Sequence, residues 1–402
     1  MNKGFLKAGH LPTLTMAFVY FDLSFMAWVI LGPLGVQIGK TLGLDAGQKG
    51  LMVAIPVLAG AFLRIVNGVL VDRFGPKAAG VFAQLFVIGG LLLAWSFGVH
   101  SFSQILLVGI VLGMAGASFA VALPLASRWY PPEYQGTALG IAGAGNSGTV
   151  LAAFFAPGLA IAFGWNNVLG LLAIPLVIVF VLYVVYAKDA PNRPAAKSFA
   201  DYIGILKTAD AWWLMLLYSV TFGGFVGLGS SLPIYYNDQY GLTPVYAGYA
   251  TAACVFVGSM LRPIGGAIAD RIGGVRTLST MYLIAALALI VVSFGLPHIA
   301  LAVTVFMIGM GALGMGNGAV FQLVPQRFGR EIGIMTGLIG MMGGVGGFYL
   351  ASSLGYSKQF TGNYQAGFLV FAILALGAFA GLNVVKRRWR ASWSGEASAV
   401  RI

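Results

Sequence analysis

Long apolar stretches alternate with short polar connections along the whole of this 402-residue chain. Twelve of these stretches approach the length of about 20 residues that a helix needs to cross the hydrocarbon core of a bilayer. They lie near residues 12–33, 47–71, 77–98, 102–127, 136–161, 166–187, 210–234, 245–269, 276–297, 299–325, 332–356 and 365–385. The pattern therefore predicts an all-α integral membrane protein with twelve transmembrane helices.

The composition supports this fold class. Hydrophobic residues make up 59% of the chain and charged residues 8%, whereas roughly 25% of the residues in a soluble domain are charged. A soluble globular protein is therefore excluded. The single cysteine, Cys254, excludes an internal disulfide, and we interpret it as a small packing residue within a helix.

The basic residues are distributed unevenly between the connections. Of the 23 Lys and Arg residues, 18 lie at the termini and in the even-numbered connections, and three lie in the odd-numbered ones, namely Lys40, Lys49 and Lys358. Positive charge accumulates on the cytoplasmic side of membrane proteins, so we expect a multi-pass protein of the cytoplasmic membrane with both termini in the cytoplasm. The basic run 386–390 is then an anchor at the lipid headgroups, and we expect no binding of nucleic acid.

The chain divides near its midpoint into two related halves. The longest hydrophilic stretch, 188–209, predicts a cytoplasmic linker between an N-terminal bundle, 1–187, and a C-terminal bundle with a basic tail, 210–402. Residues 63–75 and 261–273 are identical at six of their thirteen positions at a constant offset. No connection is long enough to hold a soluble catalytic or sensory domain, so the function is predicted to lie within the membrane.

Arg64 and Arg262 occupy equivalent positions of this repeat, deep inside apolar spans. A guanidinium at such a depth costs at least about 2.5–3.5 kcal/mol even on the most lenient scale, so a compensating role is expected. Guanidinium groups bind planar oxyanions in a bidentate manner, which lysine does not reproduce. The pair predicts a small anionic ligand; the alternative is that each arginine pairs with a carboxylate or with backbone carbonyls.

A segment of the form Gly-x-x-x-Asp-Arg-x-Gly follows the second span of each half, at 68–75 and 266–273. This form resembles the signature of the major facilitator superfamily. The resemblance implies two six-helix bundles with substrate bound between them near the membrane midplane. We interpret the charged residues of these segments as gating and topology residues that can pair across the bundles: Asp72, Arg73, Asp270 and Arg271.

Three further segments resemble the nitrate/nitrite porter family of that superfamily. They are Ala142-Gly-Ala-Gly-Asn-Ser-Gly148 in the fifth span, 314–325 in the tenth and 337–348 in the eleventh. The resemblance implies that Arg64 and Arg262 hold nitrate or nitrite. It also implies a polar contact and two aromatic walls, which match Asn146, Phe119 and Phe222. Flat apolar rings would form a slot that admits a trigonal ion and excludes tetrahedral sulfate or phosphate.

Other residues of these segments have less specific interpretations. Tyr218 is a candidate hydroxyl donor and Asn317 a candidate site residue, and either could instead bond a neighbouring helix. Glycines at intervals of three and four residues allow helices to approach closely, and here we expect them to let the bundles rock against one another. The glycines assigned to this role are Gly143, Gly145, Gly148, Gly340, Gly343 and Gly344.

Asp22 is a carboxylate inside the first span. Moving a monovalent anion into a negative interior costs about 2.3 kcal/mol per 100 mV, so uptake has to be coupled to another process. Proton symport requires a protonatable group, for which Asp22 is the candidate, whereas exchange against internal nitrite requires none. The alternative is a structural carboxylate held by an arginine or by helix backbone.

We therefore predict a monomeric secondary transporter, working by alternating access, that imports nitrate, and nitrite as a second substrate. Nitrate assimilation in a bacterium is implied by the resemblance. No enzyme activity, cofactor or metal is expected. Two alternatives stay open: a transporter of formate, oxalate or another small anion, and a nitrate receptor that does not transport.

Overall fold

The computed structural model describes residues 3–191, 199–328 and 331–393. In this part of the chain, twelve helices have the length and hydropathy of membrane spans, which confirms the predicted fold class. Labelled α1 to α12, they are Leu11–Trp28, Ala46–Phe74, Pro76–Phe97, Phe102–Ser127, Thr137–Phe163, Trp165–Tyr186, Ala209–Tyr240, Pro244–Ile272, Gly274–Ser293, Ile299–Phe328, Ile332–Thr361 and Gln365–Trp389. Several exceed the predicted lengths because the helices continue past the apolar stretches.

Short helices lie outside the spans at Lys3–Ala8, Gly35–Leu42 and Phe199–Leu206. The last belongs to the predicted linker, 188–209, of which residues 192–198 fall outside the described part. The division of the chain at that linker stays a prediction. The C-terminal tail is described as far as residue 393, and the basic run 386–390 continues the final helix, Gln365–Ser392.

The glycines of the repeated Asp-Arg-x-Gly segments end α2 and α8 at equivalent points. Gly75 has φ 90° and Gly273 has φ 99°, values in the left-handed half of conformational space that glycine adopts without steric penalty. Each glycine is at once the residue after one span and the residue before the next. The signature therefore places a sharp reversal of the chain at the membrane boundary in both halves.

The bundle formed by α1–α6 meets the bundle formed by α7–α12 along two seams, one between α2 and α11 and one between α5 and α8. Twelve crossings place both chain termini on one side, which we call the terminus side, and the start of α2 on the opposite side. The seams decide which side of the molecule is accessible to a ligand between the bundles.

Both seams are closed on the opposite side. In the first, the backbones of Gly50 and Gly355 lie so close that a Cβ at Gly50 would stand 2.7 Å from the Cα of Gly355. In the second, a Cβ at Gly248 would overlap the carbonyl oxygen of Ala153. The amide oxygen of Gln359 also accepts hydrogen bonds from the N–H groups of Ala46 and Gly47 at 3.1 and 3.3 Å.

An ion pair adds to this closure. The Nζ of Lys49 on α2 lies 3.7 Å from Oδ1 of Asp238 on α7, and Tyr364 donates a 2.8 Å hydrogen bond to the other oxygen of the same carboxylate. Burial and the nearby Asp238 charge raise the pKa of Tyr364, so its hydroxyl remains a donor. The start of α2 is thereby tied to the end of α7 in the other bundle.

The seams are open on the terminus side. A Cβ built at Gly333, at Gly337 or at Gly140 would meet no atom of the described residues within 4 Å. Gly333 and Gly337 share a helical face with Gly340 and Gly344, which do contact α2. The two bundles therefore diverge toward the terminus side from about the level of Gly340.

The start of α7 is clamped to the ends of α10 and α12 through one carboxylate. Asp210, which is 5% exposed, accepts hydrogen bonds from Arg327 Nε at 2.8 Å and from Trp389 Nε1 at 2.9 Å. Arg388 and Trp393 also donate to it. Because the carboxylate and its donors join three helices of the C-terminal bundle, α7, α10 and α12, this clamp is expected to keep that bundle rigid on the open side.

Replacing Asp210 by asparagine should therefore destabilise the protein by about 2 kcal/mol, the scale of a hydrogen bond to a charged group. The two arginines are 39% and 53% exposed, so they can return to water when the carboxylate is lost, which keeps the effect moderate. The measurement is the apparent melting temperature in detergent. Asp45→Asn is the matched control because asparagine caps a helix as well as aspartate does; equal melting temperatures for the two variants would contradict the prediction.

Candidate functional site

Arg64 lies on α2 at the level where the bundles diverge, and it is 2% exposed. Its Nε donates to the carbonyl of Gly116 on α4 at 3.2 Å, and Nη1 donates to the carbonyl of Gly340 on α11. Nη2 is buried and has no partner among the described residues. Backbone carbonyls are the alternative partners that the sequence suggests for the arginines. Carbonyls do bond two nitrogens of the Arg64 guanidinium, and they leave the third nitrogen unsatisfied.

Arg262 reaches the same region from α8. Its Nη2 donates to the hydroxyl of Tyr218 at 3.5 Å, and its Nη1 is buried without a partner in the described part of the chain. Tyr218 and Phe222 lie one turn apart on α7 and contact Arg262 and Arg64 respectively, so the two guanidinium groups lie close together. The repeat therefore brings one unsatisfied guanidinium nitrogen from each bundle to a common region between them.

Aromatic rings surround the Arg64 guanidinium. Its central carbon lies 5.5 Å from the ring centroid of Phe119 and 5.2 Å from that of Phe222. Trp28, at 5.5 Å, forms a third wall. The two phenylalanines assigned to the anion from the family resemblance thus lie beside the arginine assigned to the same ion.

A second group of rings continues toward Arg262. Phe222 stacks on Tyr218 with an interplanar angle of 6° and 5.1 Å between centroids. Phe321 of α10 lies 5.3 Å from the Tyr218 ring and 5.6 Å from the Arg262 central carbon. A continuous apolar lining therefore joins the two arginines, and their charges act in surroundings of low polarity.

Asn146 and Asn317 are the candidate amide contacts. They are 1% and 0% exposed, and both amide atoms of each lack a partner among the described residues. Asn317 lies one helical turn before Phe321, on the face that carries the aromatic lining. Because buried polar groups are normally hydrogen-bonded, four unsatisfied amide atoms support a ligand-binding role over a purely interhelical one.

Asp22 on α1 forms a hydrogen bond with α5. The Oγ of Ser147 donates to Asp22 Oδ1 at 2.6 Å, and no arginine forms an ion pair with Asp22 in the described residues. Of the two structural partners considered for Asp22, an arginine is therefore not observed among the described residues, whereas the backbone of α5 does lie against α1 at this point. A Cβ at Gly145 would stand 2.9 Å from the Asp22 nitrogen.

The glycines predicted to let the bundles rock fall into two groups. Gly340 and Gly344 lie on the seam with α2, where a Cβ at Gly344 would stand 2.7 Å from Ala61 Cβ. The others contact their own bundle or have no close neighbour: Gly145 and Gly148 lie against α1, Gly343 lies against Tyr218 and Phe222, and the Cβ position of Gly143 has no atom of the described chain within 4 Å. The rocking role stays a prediction for all six.

The charged signature residues lie at the terminus side. Asp72 Oδ1 lies 3.8 Å from Nη2 of Arg128, in the same bundle. Arg73, Asp270 and Arg271 are exposed there. These positions, at the edge of the open side, agree with a role in gating and topology, which stays a prediction.

Sequence reasoning missed several contributors to the site. Phe321 stood inside a segment that resembles the nitrate/nitrite porters, and Ser147 inside another, so both could have been found. Trp28 carried no signal, since an aromatic residue in a membrane helix is usually a packing residue. The carbonyl oxygens of Gly116 and Gly340 could not be found either, because a backbone group carries no sequence pattern.

Comparison with known proteins identifies relatives over nearly the whole chain. The model of the Major Facilitator Superfamily matches residues 16–351. The chain is 34% identical to the "Nitrite extrusion protein" of Bacillus subtilis (strain 168), with 89% of each chain covered. It is 33% identical to the "Probable nitrate/nitrite antiporter NarK1" of Thermus thermophilus (93% and 91% covered), and 34% identical to the "Probable nitrate transporter NarT" of Staphylococcus carnosus (strain TM300) (94% and 96% covered).

Solved structures share the fold at much lower sequence identity. A bacterial homologue of the human lysosomal transporter Spinster, in an inward-facing and unoccupied conformation, superposes with a TM-score of 0.76 at 18% identity, covering 99% of this chain and all of that one. The nucleoside transporter NupG superposes with a TM-score of 0.69 at 14% identity, covering 92% and 99%. These two likenesses establish the arrangement of the twelve helices.

Proposed function

The chain belongs to the major facilitator superfamily and, within it, to the nitrate/nitrite porters; from that membership we propose that it carries nitrate, and nitrite as a second anion, across the cytoplasmic membrane by alternating access. Three relatives that match over most of their length bear the names of nitrate or nitrite transporters. The protein is accordingly a transporter and not an enzyme, and the anion binds between the bundles.

One observation carries the proposal: Arg64 Nη2 and Arg262 Nη1 are buried and have no partner among the described residues, and their guanidinium groups contact Phe222 and Tyr218, which stack on each other. An unsatisfied buried donor costs about 1–3 kcal/mol, and more when it is charged. A planar oxyanion between the two arginines would accept from both nitrogens and neutralise one of the two repelling charges. The amides of Asn146 and Asn317 would supply further donors to its oxygens.

The aromatic rings support a flat ion. Phe119 and Phe222 flank the Arg64 guanidinium, and an anion in the plane of that group would have these rings above and below it. Nitrate and nitrite are planar and weakly hydrated compared with sulfate or phosphate. The apolar lining therefore favours them, because the ion loses less hydration energy on entering it.

The distribution of basic residues places the terminus side in the cytoplasm. With that orientation, the seams are closed toward the outside and open toward the cytoplasm, so the conformation is inward-facing. Transport then requires the opposite arrangement as well, in which the Gly50–Gly355 contact separates and the Gly337 face closes against α2.

Flux through reconstituted protein tests the proposal. Purified full-length protein is placed in vesicles, and uptake of isotope-labelled nitrate is measured in two formats, with an acid outside pH and no internal anion, and with internal nitrite at equal pH. We expect uptake in at least one format, and inhibition by unlabelled nitrate or nitrite but not by a similar concentration of formate.

The outcomes separate the alternatives. Uptake driven by the pH gradient identifies nitrate/proton symport, whereas uptake that depends on internal nitrite identifies exchange. Stronger competition by formate or oxalate than by nitrate would replace the substrate. Saturable nitrate binding without flux in either format would indicate a receptor and contradict transport.

A further inference from the structure

The fifth span is interrupted beside the candidate amide Asn146. Its α-helical parts, Pro132–Gly143 and Gly148–Phe163, are joined by a 3₁₀ segment, Ala144–Ser147. A stretch of 3₁₀ geometry inside a longer helix often marks a hinge because its hydrogen bonds are poorer than those of the α-helix. The segment ends in the residue that bonds Asp22.

The contact between this segment and α1 is close on both the side-chain and the backbone level. Ser147 Oγ lies 2.6 Å from Asp22 Oδ1, within the range of a short hydroxyl–carboxylate hydrogen bond. A Cβ at Gly148 would overlap the Asp22 carbonyl oxygen. The end of the 3₁₀ segment is thus held on α1 by a side-chain hydrogen bond and by direct contact between the two backbones.

Asn146 directly precedes Ser147, the residue that bonds Asp22. Both of its amide atoms are buried and have no partner in the described residues. Its direction depends on the backbone of Ala144–Ser147, because the peptide bond to Ser147 leaves two soft dihedral angles between them. A movement of Ser147 away from Asp22 would therefore be transmitted to Asn146 through the backbone of this segment.

We propose that Ser147 is a positioning residue that couples the protonation of Asp22 to the hydrogen bonding of the anion by Asn146. An ionised Asp22 accepts the Ser147 hydrogen bond and holds the 3₁₀ segment on α1. A proton on Asp22 removes the charge that strengthens this bond and releases the segment, so that Asn146 turns to the anion. The inference rests on the proposed nitrate transport and adds a proton-dependent control of its binding site.

Other ionisable groups around α1 have partners of their own. On α2, Arg64 donates to the carbonyls of Gly116 and Gly340, and Asp72 pairs with Arg128, the residue after α4. Tyr20 stacks with Tyr183 of α6 on the opposite face of α1. Among the described residues, the side chain that donates a hydrogen bond to the Asp22 carboxylate is that of Ser147.

The direction of the coupling follows from charge and geometry together. Protonation removes a negative charge from the N-terminal bundle and frees Asn146, and both effects favour an anion. Nitrate should therefore bind more tightly as the pH falls, by about 5- to 150-fold, the usual range for two coupled sites. By reciprocity, nitrate binding should be accompanied by the uptake of a proton.

Calorimetric titration of the detergent-purified full-length protein with nitrate, between pH 5 and pH 8, tests the inference. Repeating it in buffers of different ionisation enthalpy counts the protons taken up per nitrate. Ser147→Ala should keep the acid affinity, lose most of the pH dependence and take up fewer protons, and Ser147→Thr should restore both. Asp22→Asn should bind with the acid affinity at every pH. Ser219→Ala is the control, since that exposed hydroxyl bonds the backbone of its own helix.

The two proposals fail in different ways. No saturable nitrate binding by the unaltered protein at any pH contradicts the proposed function itself. Nitrate binding with a flat pH profile contradicts the inference and leaves transport by exchange intact. A full pH dependence in Ser147→Ala would mean that Asp22 acts through its charge alone, and a full dependence in Asp22→Asn would exclude Asp22.

Discussion

Replacing Arg64 by lysine should reduce nitrate affinity by at least about 30-fold, which corresponds to roughly 2 kcal/mol, the lower end for truncating a buried charge pair. Uptake at low nitrate concentration should fall by a similar factor. Lysine keeps the charge but loses the planar fork that reaches the anion while it also donates to Gly116 and Gly340. The measurement is the nitrate Kd by calorimetry, together with initial uptake rates in vesicles.

Arg262→Lys should have an effect of the same order, because the anion accepts from both arginines and the Tyr218 contact of Arg262 is equally lost. Arg276→Lys is the matched control, since Arg276 lies exposed at the start of α9. Wild-type affinity in either site variant would contradict the assignment of that arginine to the anion. A loss in all three variants would point to a general defect in the folded protein.

The repeat made the arginine pair predictable without any structure. Two basic residues at equivalent positions inside apolar spans carry a cost that function has to compensate. The repeat does not imply equal surroundings, however: Arg64 donates to two backbone carbonyls, and Arg262 donates to a tyrosine hydroxyl. That asymmetry arises from the tertiary packing of α4, α7 and α11, which sequence periodicity does not encode.

The spans were predictable for a different reason. A helix that crosses a bilayer has to satisfy its backbone internally and cover itself with apolar side chains, so hydropathy alone locates all twelve. The interruption of the fifth span was not predictable, because Ala144–Ser147 has no proline and a similar run of glycine and asparagine, 314–318, lies in an uninterrupted α10. Its 3₁₀ geometry depends on packing against α1, where Gly145 and Gly148 contact the backbone around Asp22.

The glycines of the eleventh span show what the sequence leaves undecided. Their spacing predicts a close helix contact, but it does not specify the partner helix or the state in which the contact forms. In this conformation, Gly344 contacts α2, whereas the Cβ position of Gly337, two turns away on the same face, has no atom within 4 Å in the part of the chain that the structure describes. The same pattern thus serves a seam that is closed at one end and open at the other.

Gly337→Trp is expected to abolish most nitrate uptake while leaving nitrate binding intact. The side chain has room in the inward-facing conformation, but it would stand between α11 and α2 when the terminus side closes. Overpacking of a closed interface costs about 1–3 kcal/mol or more, so the outward-facing population and the uptake rate should fall by roughly tenfold or more. Uptake in vesicles and the nitrate Kd in detergent are measured on the same preparation.

Gly377→Trp provides the control, because Gly377 lies on the exposed face of α12 and its Cβ would also meet none of the described atoms within 4 Å. Both variants add the same indole to a membrane helix, and they differ in whether a second bundle has to approach it. Uptake should therefore survive in Gly377→Trp and fail in Gly337→Trp. Normal uptake in both would mean that the α2–α11 seam stays open on the terminus side throughout transport, and a loss of nitrate binding in Gly337→Trp would mean that the substitution disturbs the anion site instead of the closure.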